Sequence, residues 1–200
     1  TPFEHASVLN TTKRLEENGV KVTYLKLDEN GRIDLEHLKE SITKDTVLVS
    51  IMHVNNEIGV IQDIEKIGHI IKENSNRAKF HVDGVQSYTK IPIDVQKMNI
   101  DFLTVSGHKF HGPKGCGFVY VRKNNNLVPL IEGGSQEFGL RAGTQNIGCI
   151  MGLTKAAEIS CGNMEENFEK VKEIKARFIE ELQSIDNVRI NSPLSDEFLP

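Results

Sequence analysis

The sequence predicts a three-layer α/β/α domain with a mostly parallel sheet and one antiparallel strand, followed by the start of a smaller α+β domain. Three observations predict it. Helix-periodic and strand-like segments alternate over much of the 200-residue chain, the pattern of a sheet covered by helices. "TVLVSIMHV", residues 46–54, is almost continuously apolar, as a strand buried on both faces requires. Only Ser106 to Gly115 separate a strand ending near Val105 from one starting near Gly117. A parallel crossover usually takes a dozen or more residues including a helix, so the second strand, "GFVYVRK", should run antiparallel.

The elements follow in order. "EHASVLNTTKRLEENG" carries apolar residues at Ala6, Val8, Leu9 and Leu15, and Gly19 supplies a stop, so a helix is expected. "VKVTYLKL" alternates with period two and reads as a strand. "ENGR" is a turn, and Asp34 caps a short helix, "LEHLKESI". "DIEKIGHIIKEN" places Ile64, Ile67, Ile70 and Ile71 at helical spacing. "AKFHVD" and "DFLTVSG" are short strands, and "GFVYVRK" closes the set. After Val121 the texture changes. "KNNNLVPLIEGGSQEFGLRAGTQN" is long, polar and glycine-rich, and loops of that length in compact domains are functional or disordered. "IGCIMGLTKAAEIS" reads as a helix rich in small residues. "MEENFEKVKEIKARFIEELQSI" reads as a long amphipathic helix striped by Phe168, Val171, Ile174, Phe178 and Leu182, leading out of the first domain.

Composition bounds the function. The net charge of −4 gives no basic excess with which to neutralise phosphates, which argues against a nucleic-acid partner. No run approaches the ~18 apolar residues of a membrane span. Cys116, Cys149 and Cys161 form no CxxC pair and no disulfide framework, so a reducing cytoplasm is the expected setting. The chain opens on Thr-Pro-Phe and closes on "SDEFLP", an apolar ending poorly suited to solvent, which predicts a piece of a longer protein.

In open α/β sheets ligands bind beyond the carboxyl ends of the strands. The residues after each strand are therefore the ones to read. "TVLVSIMHV" runs into Asn55, Asn56 and Glu57. "AKFHV" ends at Asp83, with Gln86 just beyond. "DFLTV" leads into Ser106, His108 and Lys109. Singly, each has a plain reading: an Asp at a strand end caps a turn, and a Lys in a glycine-rich loop is solvated. His53 and His81 fall in strands and suit a core, and a zinc site from them with His108 and His111 lacks ligand spacing. Together they match what a pyridoxal phosphate enzyme needs. A lysine holds the aldehyde. A carboxylate keeps the pyridine nitrogen protonated. Hydroxyl, imidazole and backbone donors hold the phosphate, and an amide meets the ring's 3-oxygen. Asp83, Gln86, Ser106, His108 and Lys109 supply each class.

The segments "EHASVL", "HVNNEIG", "HVDGVQ", "SGHKFHGPKG" and "GGSQEFGLRAGT" resemble the class V aminotransferases, fold-type I pyridoxal phosphate enzymes. Within that family they are similar to the cysteine desulfurases of the NifS/IscS type. The resemblance runs from about Glu4 to Ile147 and implies roles. Lys109 would hold pyridoxal 5′-phosphate and move the substrate's α proton. Asp83 would pair with the pyridine nitrogen and Gln86 with the 3-oxygen. His5 would stack on the ring and assist proton transfer. Ser106 and His108 would hold the phosphate, and Asn56 would sit near the cofactor oxygen and the substrate carboxylate. Thr144 would reach the phosphate of a neighbouring subunit, completing the site in a homodimer. No metal is implied. The implied reaction takes sulfur from L-cysteine, leaving L-alanine and an enzyme persulfide. A sulfur-acceptor protein of scaffold type would receive the sulfur for iron–sulfur cluster or thio-cofactor assembly.

The resemblance also divides the chain. Residues 1–164 would be a pyridoxal phosphate-binding large domain lacking its N-terminal part. Residues 165–200 would be the long helix and the truncated start of a small domain. Gly84 stands where the family often has alanine. None of the three cysteines fits the family's mobile catalytic cysteine, so the isolated chain is expected to be inactive. Two other readings remain: a selenocysteine lyase or small-molecule aminotransferase of the same family, and a non-catalytic scaffold module on the same fold.

Overall fold

In a computed structural model, residues 1–192 and 194–200 are described. Four strands form one sheet: β1 (Leu48–Met52), β2 (Lys79–Asp83), β3 (Phe102–Ser106) and β4 (Gly117–Val121), in the order β1-β2-β3-β4. The first two pairings are parallel. β4 runs antiparallel to β3, with Ser106 opposite Gly117 and Phe102 opposite Val121, as the short connection requires.

Helices pack around this sheet. α1 (Ala6–Glu17) begins at His5, whose Nδ1 accepts from the Ser7 N–H at 3.2 Å. α2 (Leu35–Ser41) is capped by Asp34, which accepts from Glu36 and His37. α3 (Ile64–Asn74) is capped by Asp63 and buries Ile64, Ile67 and Ile71. These join Ile51, Phe80, Val82, Leu103 and Val105 in the core. Gly68 lets α3 lie against the chain before β3: a Cβ there would meet the Met98 carbonyl at 2.1 Å. α4 (Ile147–Gly162) sets Leu153 over Gly107, where a Cβ would stand 2.5 Å from Leu153 Cδ1. α5 (Met164–Gln183) follows after Asn163 alone.

One expectation is corrected. Val20–Leu27 is not a strand. Its one pairing is an isolated bridge between Leu27 and Ile33, because no neighbouring strand offers it a ladder among the described residues. The closing residues avoid solvent, as their apolar character predicts. Phe198 is buried and pairs with Val60, while the Leu199 N–H donates to the Gly59 carbonyl at 2.7 Å. The helix predicted over 164–185 forms, but Val171, Ile174 and Phe178 of its apolar stripe are exposed.

Candidate active site

The strand register brings three chain ends to one edge. Met52, Asp83 and Thr104 lie level across β1, β2 and β3. Beyond β1, Asn55 is a buried clamp. Its Oδ1 accepts from the Glu57 and Ile58 N–H groups, each at 2.9 Å, and its Nδ2 donates to the Phe3 carbonyl at 3.1 Å. That fixes the loop against the segment preceding α1 and leaves Asn56 exposed at the edge. Beyond β3 the chain enters a 3₁₀ turn, Gly107–Phe110, which carries His108 and Lys109 outward while Phe110 is buried. His111 closes the turn at φ 68°, and the Gly112 N–H donates to the Gly107 carbonyl. The Ser106 hydroxyl and His108 Nδ1 are hydrogen-bonded at 2.9 Å.

Asp83 is buried at the end of β2. One oxygen accepts the Val85 N–H at 3.0 Å; the other has no hydrogen-bond partner among the described residues. Burial pushes its carboxyl above the ordinary range. The Val85 hydrogen bond opposes this, buried Glu4 adds to it, and His81 and His5 offset part of it. Gly84 follows because a Cβ would meet Leu103 Cδ1 at 2.6 Å, so its small size answers to β3 as well as to any ligand.

Lys109 shares a cavity of about 610 Å³ with Asn56, Gln86 and Lys90, closed by Phe168 and Val171 of α5 and by Leu199. His5 lines a neighbouring cavity of about 450 Å³, and Asn56 belongs to both. His5 Nδ1 is committed to capping α1, which leaves Nε2 as the nitrogen available for proton transfer. Lys109 makes no hydrogen bond or ion pair among the described residues.

Other candidates fall elsewhere. Thr144 is exposed in the long loop and lines neither cavity. His81 bridges the sheet, its ring reaching Ser50 at 2.7 Å and Thr104 at 3.2 Å. His53 is buried with Nδ1 unpartnered, and burial lowers its pKa to about 4. Cys116 Sγ donates to the Pro113 carbonyl at 3.1 Å, and no cysteine lines either cavity. No group of three or more His, Cys, Asp or Glu among the described residues is placed to hold a metal. No helix among them is long and apolar enough to cross a membrane.

Residues 1–197 match the aminotransferase class V family. The chain belongs to the class V aminotransferase family. Among class V relatives, a cysteine desulfurase IscS of Methanosarcina thermophila is 47% identical over 189 residues, covering 94% of this chain and 46% of that protein. A mitosomal cysteine desulfurase of Trachipleistophora hominis is 48% identical over 197 residues, covering 97% and 44%. A solved NifS-like protein superposes with a TM-score of 0.96 at 41% identity, covering 99% of this chain and 54% of that one. The chain thus spans about half the length of the curated relatives it matches. The fold is the α/β fold of these fold-type I enzymes.

Two residues near this edge escaped the sequence reading. Glu4 is buried beside β1, its Oε1 accepting the Met52 N–H at 2.9 Å and its Oε2 unpartnered among the described residues. Lys90 lines the Lys109 cavity. Glu4 carried only its place beside His5, and Lys90 only its spacing of four from Gln86.

Proposed function

We propose that this chain is the cofactor-holding part of a pyridoxal 5′-phosphate-dependent cysteine desulfurase. The observation that carries the reading is the placement of Lys109 and Asp83 at the ends of adjacent strands, one accessible in a cavity and the other buried. The residues fit the cofactor's chemistry. Asp83 has an unpartnered oxygen and a carboxyl that burial alone pushes toward neutrality. A protonated pyridine nitrogen would restore its ionised form and hold the proton there. The hydrogen-bonded Ser106–His108 pair would take the phosphate, and Gln86 would meet the 3-oxygen. When bound, the cofactor supplies an electron sink for charge developing at the substrate's α-carbon.

This chain's own residues do the rest. Lys109 would hold the cofactor's aldehyde and then carry the substrate's α proton. His5 would cover the ring face and move a proton at Nε2. Asn56, exposed between the two cavities, would orient the substrate carboxylate. Thr144 would serve the phosphate of a second subunit. That role would require a homodimer.

L-cysteine is the proposed substrate and L-alanine the product. The relatives' names support this, as does a solved structure of SspA in complex with cysteine, 49% identical over 78% of this chain. The sulfur would leave as a persulfide on a thiol outside these 200 residues, for a scaffold-type acceptor in the cytoplasm. Residues 1–164 would form the large domain, and residues 165–200 would open a smaller one.

Borohydride fixation of added pyridoxal 5′-phosphate, followed by peptide mapping, tests the reading. Label on Lys109 is the expected result. Label on another lysine, or none at all, overturns it.

A further inference from the structure

Beside Lys109 the cavity is lined by Lys90, Lys170 and Lys175, and of these Lys90 is the one that reaches a proposed cofactor contact. Lys90 Nζ lies 3.0 Å from Gln86 Oε1. An ammonium group only donates, so the amide atom facing it must be the oxygen. Shape alone does not settle which way a glutamine amide turns; a neighbouring cation does. We propose that Lys90 is a positioning residue that fixes the Gln86 amide with its NH₂ group facing the cavity, where it donates to an anionic ring oxygen. The naming of that oxygen rests on the proposed function; the amide orientation does not.

The backbone is built to keep Lys90 there. Gln86 and Lys90 are four residues apart on a tight run in which Tyr88 donates to the Gly84 carbonyl at 2.9 Å and Lys90 to that of Ser87 at 3.0 Å. Their direct contact at 3.0 Å shows that both side chains meet on one side of this turn. Between them Thr89 is buried and adopts φ 63°. A β-branched residue in the left-handed region is an outlier, and such strain persists where the surroundings impose it.

Lys90 also sits where a lysine is costly. Long cations normally carry their heads to water, but Lys90 is half-buried on the same cavity as Lys109. Burial first, and the Lys109 charge second, hold its pKa below the ordinary lysine value. Glu57 is the cavity's only acidic side chain among the described residues. The ammonium groups of Lys90 and Lys109, with Lys170 and Lys175 also lining the cavity, are relieved by an anion bound among them.

The experiment has two arms. Without ligand, the Gln86 side-chain NH₂ resonances, assigned by their loss in Gln86→Ala, are compared in the full chain, Lys90→Met and Lys90→Arg. They shift or broaden in Lys90→Met and return in Lys90→Arg, which keeps a donor in reach. With pyridoxal 5′-phosphate, Lys90→Met moves the visible band and weakens binding about tenfold, in line with loss of a charge-assisted hydrogen bond. Lys90→Arg restores both within about twofold, and Lys90→Met adds nothing in a Gln86→Ala background, because the two act as one unit.

Unchanged NH₂ resonances in a folded Lys90→Met overturn the proposal. Additivity in the double variant, or failure of Lys90→Arg to rescue, does the same. If the unsubstituted chain binds no pyridoxal 5′-phosphate, the proposed function falls, and the ligand-free arm alone decides the role of Lys90.

Discussion

Replacing Asp83 with Asn should stabilise the ligand-free protein and weaken the loaded one. The carboxylate is 5% exposed, accepts a single N–H at 3.0 Å and makes no salt bridge among the described residues. Asn keeps the oxygen that the Val85 N–H needs and removes the charge. Relief of a destabilised functional position is commonly worth about 0.5–2 kcal/mol. At about 2–4 °C per kcal/mol for a protein of this size, Tm should rise by about 1–8 °C.

The gain depends on pH in a set direction. The folded-state pKa is raised above the ordinary value of 3.8. Below that value Asp83 is protonated in both states and contributes nothing. As pH climbs from 3.8 through the folded pKa, the folded state keeps a proton that the unfolded state has lost, so stability falls. The Asp83→Asn variant escapes that fall. Thermal melts followed by circular dichroism should therefore separate the two proteins at about pH 7.5 and bring them together near about pH 3.5. With saturating pyridoxal 5′-phosphate the order should invert, since only the carboxylate pairs with a pyridinium. An Asp83→Asn variant that melts lower than the unsubstituted chain at neutral pH without ligand, or a gap that does not change with pH, would refute the reasoning.

Two further outcomes are expected. Gly68→Ala should lower stability by about 1–3 kcal/mol through overpacking, because the added methyl meets the Met98 carbonyl at 2.1 Å and backbone must move; a melting temperature unchanged within about 1 °C counts against that contact. The 200-residue chain should release sulfide from L-cysteine at less than about a hundredth of the rate of a full-length relative, since no cysteine lines either cavity and nucleophile loss commonly costs more than that factor. Comparable release in a methylene blue assay would mean that Cys116, Cys149 or Cys161 reaches the substrate.

The sheet and the placement of the lysine were legible because they rest on local rules. An apolar run marks a buried strand, and the residue after it lies at the sheet's edge; Asp83, Ser106 and Lys109 follow from that alone. The reversal into β4 was legible because chain length forbids the alternative. Val20–Leu27 misled because alternation reports which faces a segment could present, whereas a strand also needs a neighbour, and here only Leu27 finds one. The burial of Phe198 rests on its pairing with Val60, far away along the chain, which no local pattern encodes. Lys90 was invisible for another reason. Its meaning depends on one atom of Gln86, and a spacing of four describes most surface pairs on any helical turn.

The pairing of Ser106 with Gly117 has a kinetic meaning. The residues between them, Lys109 included, form a loop whose two ends are already joined by the ladder between β3 and β4. The entropy of closing that loop is spent when the sheet forms, not when a ligand arrives. What remains for capture is the ordering of one four-carbon arm, about 2 kcal/mol at most. A lysine mounted on a helix lid would have to order the lid as well. Lys109 therefore works as a short tether on a fixed post, and ligand arrival at it should be limited by diffusion and side-chain rotation rather than by movement of the backbone.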